Sequence, residues 1–286
     1  MISVIDIGSN TIRASVYERN GEQLVEVENF GEKSTIFEHT ENGILTPCGI
    51  AELTQTLLKL TSSLKNTPAA FATAAFRDLK NGGEVRAYIK KETGIDVELL
   101  SGETEAECDY LSLKSKIGSC SGIGLDLGGG SCQIFAFDKD GVSESISLPL
   151  GVKRLKRELV SGIIPTDEER EIIYNYVKTR IKTSKSANTL YIMGGTARAI
   201  LKLALAVVGK KEAMITQDEL KSLADFSLDE SFLPIVKAVV KKRFDTVGIG
   251  AVVISAIAEK VASQRIEIVD CSVREGYIIR NQLKNP

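Results

Sequence analysis

The chain has a single histidine, His39, and its five cysteines include no C-x-x-C pair. His39 lies in polar surroundings with no second histidine at metal-ligand spacing, so it reads as a surface-loop residue. A Ser-His-Asp triad and an H-E-x-x-H zinc site are excluded. Cys48, Cys108, Cys120, Cys132 and Cys271 are odd in number. The middle three recur every 12 residues, a spacing that no zinc or disulfide pattern uses, so all five read as scattered reduced thiols. Charge of one sign is lacking too. A net charge of −2 gives no global basic field to recruit nucleic acid, so any polyanionic ligand must be held by a local constellation. The most apolar stretches, around 199–208 and 251–258, are too short or too interrupted to span a bilayer. Met1-Ile2-Ser3-Val4 enters a strand at once, without a basic n-region or an apolar h-region. These absences lead us to expect a soluble, cytoplasmic protein with no membrane contact.

Several familiar motifs are also missing. No G-x-x-x-x-G-K-[ST] occurs, so this is not a P-loop enzyme, and Gly122-Ile-Gly124 lacks the third glycine and following helix of a dinucleotide fingerprint. Gly118-Ser-Cys120-Ser-Gly122 imitates a nucleophile elbow. However, it precedes a strand instead of joining strand to helix, and no downstream histidine exists to activate the thiol.

What is present is globular composition, 43% apolar and 26% charged, in a chain of 286 residues that fits two domains of about 140 residues each. One strand-turn-strand segment is written twice, 120 residues apart. The first copy is V-I-D-I-G-S-N-T-I-R, with Asp6, Gly8 and Thr11. The second is G-L-D-L-G-G-G-S-C-Q, with Asp126, Gly128 and Ser131. Each is followed by a β-like run and a hairpin dipeptide at the same offset, Asn20-Gly21 and Asp140-Gly141. The duplication points to two facing domains that clamp one phosphorylated ligand.

Along the chain, residues 2–8, 12–18 and 22–29 pattern as strands, and 51–64 as a helix. Pro68 to Ala75 reads as a strand running into a turn at Arg77–Gly83. A helix over 84–93 is closed by Gly94, a short strand covers 97–100, and an acidic-led helix runs from Ser101-Gly102 to about Lys116. The small polar stretch 118–122 is the expected domain junction. The second half repeats the plan: a hairpin over 123–148, helices near 151–160 and 167–183, a strand over 189–193, and Gly194-Gly195-Thr196 opening another helix. Helical stretches at 217–225, 230–242 and 248–262, a strand at 266–269 and a last helix from Arg274 complete it. Antiparallel hairpins opening each half, then alternating strands and helices, indicate α/β architecture with mixed sheets.

The two Asp-x-Gly turns are the main chemical signal. Glycines after a strand let backbone N–H groups approach phosphate oxygens. Gly8, Ser9, Asn10 and Thr11 form one such cradle, and Gly128, Gly129, Gly130 and Ser131 the other. Gly194, Gly195 and Thr196 supply a third glycine turn. Asp6 and Asp126, at strand ends, suit Mg2+ as hard oxygen donors. Arg77 is placed to fork onto a phosphate, or else to pair with Asp78 or Glu84. Lys153 and Arg154, taken alone, read as a solvated face. In Gly102-Glu103-Thr104-Glu105-Ala106-Glu107, three carboxylates at a helix start are explained by the helix dipole alone. Glu103 and Glu107 share one face and Glu105 points elsewhere, beside Asp109.

In order, these segments resemble the exopolyphosphatase/guanosine pentaphosphate phosphohydrolase (Ppx/GppA) family, within the superfamily of actin, sugar kinases and chaperone ATPases. The matching pieces are D-I-G-S-N-T (6–11), A-T-A-A-F-R-D-L-K-N (72–81), S-G-E-T-E-A (101–106), D-L-G-G-G-S (126–131) and L-P-L-G-V-K-R-L (148–155). They continue with G-G-T-A-R (194–198), R-F-D-T-V-G-I-G-A (243–251) and V-R-E-G (273–276), over nearly the whole chain. The resemblance implies two actin-like (ribonuclease H-like) domains with mixed sheets facing a central cleft. Domain I would be 1–117 plus 272–286, and domain II 118–271, the last helix returning to the first domain. It implies Mg2+-assisted hydrolysis in which Glu105, the Glu of the family's G-x-x-E-A, orients or deprotonates the attacking water. Asp6, Asp126 and Glu105 would hold the metal, and the glycine turns and Arg77 the phosphate oxygens. The implied ligand is inorganic polyphosphate or a phosphorylated guanine nucleotide such as guanosine pentaphosphate. An exposed apolar helix would serve a homodimer.

Three departures stand out. The family's second loop continues G-G-G-S-T-E, whereas this chain has Ser131-Cys132-Gln133 and loses a carboxylate. Glu107 stands where an Arg often follows E-A. The C-terminal helical domains of larger members do not follow. Gln133 and Glu107 favour an alternative, a catalytically weak sensor of a phosphorylated signal. A kinase of the same superfamily ranks last, because nothing marks a sugar pocket.

Overall fold

A computed structural model describes residues 1–21, 23–209 and 212–284. Glu22, expected to begin the second hairpin strand, and Asn285 and Pro286, at the end of the expected domain I, lie outside the described residues. The chain divides into two compact units, Met1–Cys108 with Arg274–Pro286, and Asp109–Val273. The division falls inside a helix, upstream of the small polar stretch at 118–122.

Unit 1 contains β1 (Ile2–Ile7), β2 (Thr11–Asn20), β3 (Gln23–Lys33), the small hairpin β4 (Thr40–Glu41) and β5 (Ile44–Leu45), and α1 (Pro47–Ser62). It continues with β6 (Ala69–Ala72), α2 (Ala74–Arg77), α3 (Gly82–Thr93), β7 (Val97–Leu99) and the first half of α4 (Gly102–Ile117). Its sheet runs β3-β2-β1-β6-β7, antiparallel on the hairpin side and parallel from β1 to β7. Unit 2 contains β8 (Gly122–Leu127), β9 (Cys132–Asp138), β10 (Gly141–Leu148), α5 (Val152–Leu159), α6 (Asp167–Arg180) and β11 (Thr189–Met193). After these come α7 (Gly194–Val207), β12 (Met214–Ile215), α8 (Gln217–Ser227), α9 (Leu233–Val240), α10 (Val247–Lys260) and β13 (Arg265–Ile268). Its sheet is β10-β9-β8-β11-β13-β12, the order of unit 1 with one antiparallel strand added at the edge. The last helix, α11 (Val273–Lys284), lies almost wholly in unit 1. Both sheets are mixed, as the paired hairpins indicate.

Local chemistry accounts for these elements. Gly21 turns β2 into β3 with φ +62°, a left-handed value that costs glycine little. Thr46 caps α1 by accepting from Gly49 N, and Pro47 starts the helix with its φ already set. The buried side of α1, Leu53, Leu57 and Leu60, joins Ile5, Ile7 and Ile12 of the sheet in the unit 1 core. Truncating Leu57 to Ala there costs about 2–5 kcal/mol. In unit 2, Thr166 and Thr216 open α6 and α8 with reciprocal capping boxes to Glu169 and Glu219. Helix α10 is apolar all round and buried from Val247 to Ala258, the pattern of a central helix.

One expectation is corrected. The strand expected over 68–75 ends at Ala72, and Ala74–Arg77 form a short helix. Alanine favours helix, and an Ala-rich run carries no periodicity to mark where the strand stops.

Candidate functional site

In both units the chemically distinctive residues gather at the carboxyl ends of parallel strands, where open α/β sheets bind ligands. In unit 1 these are the ends of β1, β6 and β7, and in unit 2 those of β8 and β11.

The turn after β1 is closed by Gly8 N donating to Thr11 O at 3.3 Å. Asp6 opposes Arg13 and Ile7 opposes Ile12 in the hairpin register. A Cβ on Gly8 would lie 3.0 Å from the Thr11 carbonyl, so the close turn leaves a side chain little room. Asn10 O accepts from Ser34 N at 3.1 Å and Ile7 O from Thr73 N at 3.4 Å, which ties the turn to the end of β6. Ser9 is buried, while Asn10 and Thr11 are half-buried.

Arg77 and Glu105 meet in the same unit. Arg77 Nη1 donates to Glu105 Oε2 at 2.7 Å and to the Leu100 carbonyl at 2.9 Å. Glu105 is 6% exposed, whereas Glu103 and Glu107 are exposed and Glu107 accepts from Arg280 Nε at 2.8 Å. Helix phase thus separates one of the three carboxylates from the other two. At the end of β1, burial pushes the Asp6 carboxyl above its ordinary range, against the pull of the Arg274 and Arg13 charges.

Unit 2 repeats the turn. Gly128 N donates to Ser131 O at 3.0 Å, and Asp126 opposes Gln133 as Asp6 opposes Arg13. The turn is anchored to the start of α5: Gly128 O accepts from Val152 N at 3.0 Å, and Gly129 O from Lys153 N and Arg154 N at 2.9 and 3.0 Å. Arg154 Nε donates to Gly130 O at 3.0 Å, and its side chain is only 14% exposed. Arg154 therefore braces the Gly128–Ser131 turn instead of lying on a solvated face. Gln133 is buried, and its Nε2 donates to Ser131 Oγ at 2.9 Å and Ser147 Oγ at 3.0 Å. Its amide fixes the hydroxyl of the turn.

Beyond β11, Gly194 takes φ +80°, and Asp126 Oδ1 fills the space where a Cβ would stand. Asp126 pairs with Met193 in the parallel register, which delivers it to that position. Arg243 covers Gly195 and donates from Nη1 to Thr196 Oγ1 at 3.3 Å. In unit 2, then, Asp126, Gly128–Ser131 and Gly194–Thr196 form one constellation with Arg154 and Arg243. In unit 1 the structure joins Arg77 to Glu105 and Asp6 to Arg274. Arg243 and Arg274 went unrecognised as site residues, although each lies in a segment that carries the family resemblance. Glu26, a partner of Arg274, had no signal in the sequence.

Among the described residues no group of three His, Cys, Asp or Glu side chains forms a metal cage. Mg2+ usually keeps several waters and is held by one or two carboxylates together with phosphate oxygens. Asp6 and Asp126, each half-buried at the end of a strand, fit that donor chemistry.

The Ppx/GppA phosphatase family model matches residues 34–285. Exopolyphosphatase 1 of Mycobacterium tuberculosis is 25% identical over 303 residues, spanning 98% of this chain and 87% of that protein. The solved structure of the Aquifex aeolicus Ppx/GppA family member matches with a TM-score of 0.82 at 24% identity, covering 99% of this chain and 97% of that one. That of an exopolyphosphatase from Cytophaga hutchinsonii matches with a TM-score of 0.85 at 21% identity, covering 99% and 97%. The fold is that of these two-domain actin-like proteins. Among the described residues, no helix is long and apolar enough to cross a membrane.

Proposed function

Because the chain belongs to the Ppx/GppA phosphatase family, we propose that it is a phosphoanhydride hydrolase that releases the terminal phosphate of inorganic polyphosphate. The 5′ γ-phosphate of guanosine pentaphosphate is the other substrate of the same chemistry. The name of the mycobacterial relative, exopolyphosphatase, supports the first.

The observation that carries this reading is the buried Glu105 carboxylate held by Arg77, in a unit that also bears a phosphate-type turn. Glu105 accepts a proton from water as the water oxygen attacks the terminal phosphorus. The bond from that phosphorus to the bridging oxygen breaks, the oxygen departs on the shortened chain, and orthophosphate is released. A positioned general base contributes about 10²–10⁴-fold to such a step. Arg77 fixes the orientation of Glu105. Gly8 N and Gly128 N close their turns onto Thr11 O and Ser131 O, so the other amides of 8–11 and 128–131, with those of Gly194–Thr196, donate to phosphate oxygens, and Arg154 and Arg243 add positive charge beside the unit 2 turns. Bound Mg2+ would neutralise charge on the phosphoryl oxygens, with Asp6 and Glu105 proposed as its donors in unit 1 and Asp126 as the donor in unit 2.

Gln133 favours a second reading. Its neutral amide is spent on Ser131 and Ser147 where a carboxylate would add a metal or water ligand, which suits a slow, ligand-sensing protein. Phosphate release by the purified protein with Mg2+ decides between them, comparing long polyphosphate, short polyphosphate and guanosine pentaphosphate. Release from one of them names the substrate of a hydrolase. Binding of one without release from any makes the protein a sensor.

A further inference from the structure

Arg274, in the first turn of α11, is the most deeply buried cation near the unit 1 turn, at 5% exposure. Its Nη1 lies 3.4 Å from Asp6 Oδ2, and its Nη2 lies 3.5 Å from Glu26 Oε1. Asp6 comes from β1 and Glu26 from β3. Tyr17 of β2, the strand between them, donates its hydroxyl to Glu26 Oε1 at 3.3 Å. Three neighbouring strands and the C-terminal helix therefore converge on one guanidinium.

This arrangement is a poor device for stability. Tight charge-assisted bonds between N–H and carboxylate run about 2.7–2.9 Å. Both contacts here are longer, and among the described residues Arg274 Nε has no hydrogen-bond partner. A buried charge with two long carboxylate contacts, the Tyr17 hydroxyl as a further partner and an orphaned donor repays little of its desolvation. The fork straddles two carboxylates instead of clamping one.

The rest of α11 is firmly held. An added Cβ on Gly276 would run into the backbone of Cys108, on the helix that carries Glu105 one turn earlier. Arg280 Nε donates to Glu107 at 2.8 Å, and Tyr277 donates to Glu98 Oε2 at 2.8 Å. These contacts brace α11 against its neighbours, so Arg274 presents its charge to Asp6 from a supported position.

We propose that Arg274 is a positioning residue for Asp6, holding that carboxylate in the orientation a divalent cation requires, with Glu26 as the counter-anchor that keeps the guanidinium from collapsing onto Asp6. This rests on the reading of Asp6 as a metal ligand. Partners that orient a metal ligand are worth about 10–100-fold in metal affinity. Removing the Glu26 charge leaves the guanidinium drawn to Asp6 alone, in direct competition with the cation. The sign is distinctive, because a carboxylate that touches no metal should still govern metal affinity.

The test is a Mn2+ titration followed by electron paramagnetic resonance, with melting temperatures, on the wild type, Asp6→Asn, Arg274→Lys and Glu26→Gln. Lysine keeps the charge and loses the fork. The expected result is that Asp6→Asn abolishes binding, while Arg274→Lys and Glu26→Gln each weaken it about tenfold, with melting temperatures that show both variants folded at the temperature of the titration. Loss of binding in Asp6→Asn with wild-type affinity in both other variants overturns the positioning role and leaves Asp6 as a ligand. Asp6→Asn titrating like the wild type overturns the metal reading and the positioning role together.

Discussion

The guanidinium of Arg77 is committed to Glu105: one nitrogen, Nη1, serves both that carboxylate at 2.7 Å and the Leu100 carbonyl at 2.9 Å. The bond spans from the end of α2 to the first turn of α4, so the short helix after β6 has a definite task. It aims an arginine at the carboxylate proposed to activate water.

Replacing Arg77 with Lys should therefore act through Glu105. Lysine has no planar fork to satisfy carboxylate and carbonyl together. The expected outcome is a fall in kcat on the order of 10²-fold, the scale of a misplaced catalytic group, with KM little changed. Steady-state phosphate release checks it. A rise in KM at constant kcat would mean that Arg77 binds phosphate directly, as the family resemblance implies.

Gly194 is expected to tolerate no side chain. Gly194→Ala meets a left-handed φ and the Asp126 carboxylate together, whereas Gly21→Ala meets a left-handed φ in open space. The Gly21 variant should lose about 1–2 kcal/mol, and the Gly194 variant clearly more, along with phosphate release. Thermal melts of the pair separate strain from collision. Equal losses would show that Asp126 moves aside freely.

Gln133→Glu tests whether the missing carboxylate can be restored. The buried amide donates to two hydroxyls, and a carboxylate can only accept, so Ser131 and Ser147 must both reverse. A stability loss of about 1–3 kcal/mol is expected from the buried charge. Faster turnover in the folded variant would identify Gln133 as the brake on this chain. Unchanged turnover would assign the amide to structure alone.

At alkaline pH the α11 anchor is expected to show itself. Burial and the neighbouring Glu98 carboxylate push the Tyr277 hydroxyl up to about 12 from its ordinary value of 10.0. A group whose pKa is raised on folding contributes stability that is fully present below the unfolded value and lost as pH rises through the folded one. The wild type should lose stability between about pH 10 and 12, and Tyr277→Phe should lose less over the same interval. Denaturant midpoints across that range check the sign, and parallel curves would contradict it.

The duplicated turn was legible in the residues because its signals are local: two Asp-x-Gly segments, each followed by a hairpin dipeptide at a fixed offset. Both halves do form the same hairpin, with Asp6 opposite Arg13 and Asp126 opposite Gln133. The same hairpins and the alternation after them indicated mixed sheets in two domains, and the family resemblance added their actin-like character. What stayed hidden depends on distance or on packing. Arg274 meets Asp6 across 268 residues, and although it lies in the V-R-E-G segment of the resemblance, nothing there names its partner. Helix phase set Glu105 apart from Glu103 and Glu107 and the resemblance selected it, but only packing shows that it is the buried one. Arg154 was misread because its partner is a backbone carbonyl, Gly130 O, which no side-chain pattern reveals. The two-residue strands β4, β5 and β12 carry too little alternation to be seen.

The measurement that bears most directly on the central claim is single-turnover phosphate release by Glu105→Gln, paired with equilibrium binding of the same polyphosphate. The account predicts a rate lower by about 10²–10⁴-fold with affinity within a few-fold of wild type, because glutamine keeps the shape and the Arg77 contact but accepts no proton. A wild-type rate in Glu105→Gln would contradict it and remove Glu105 as the base.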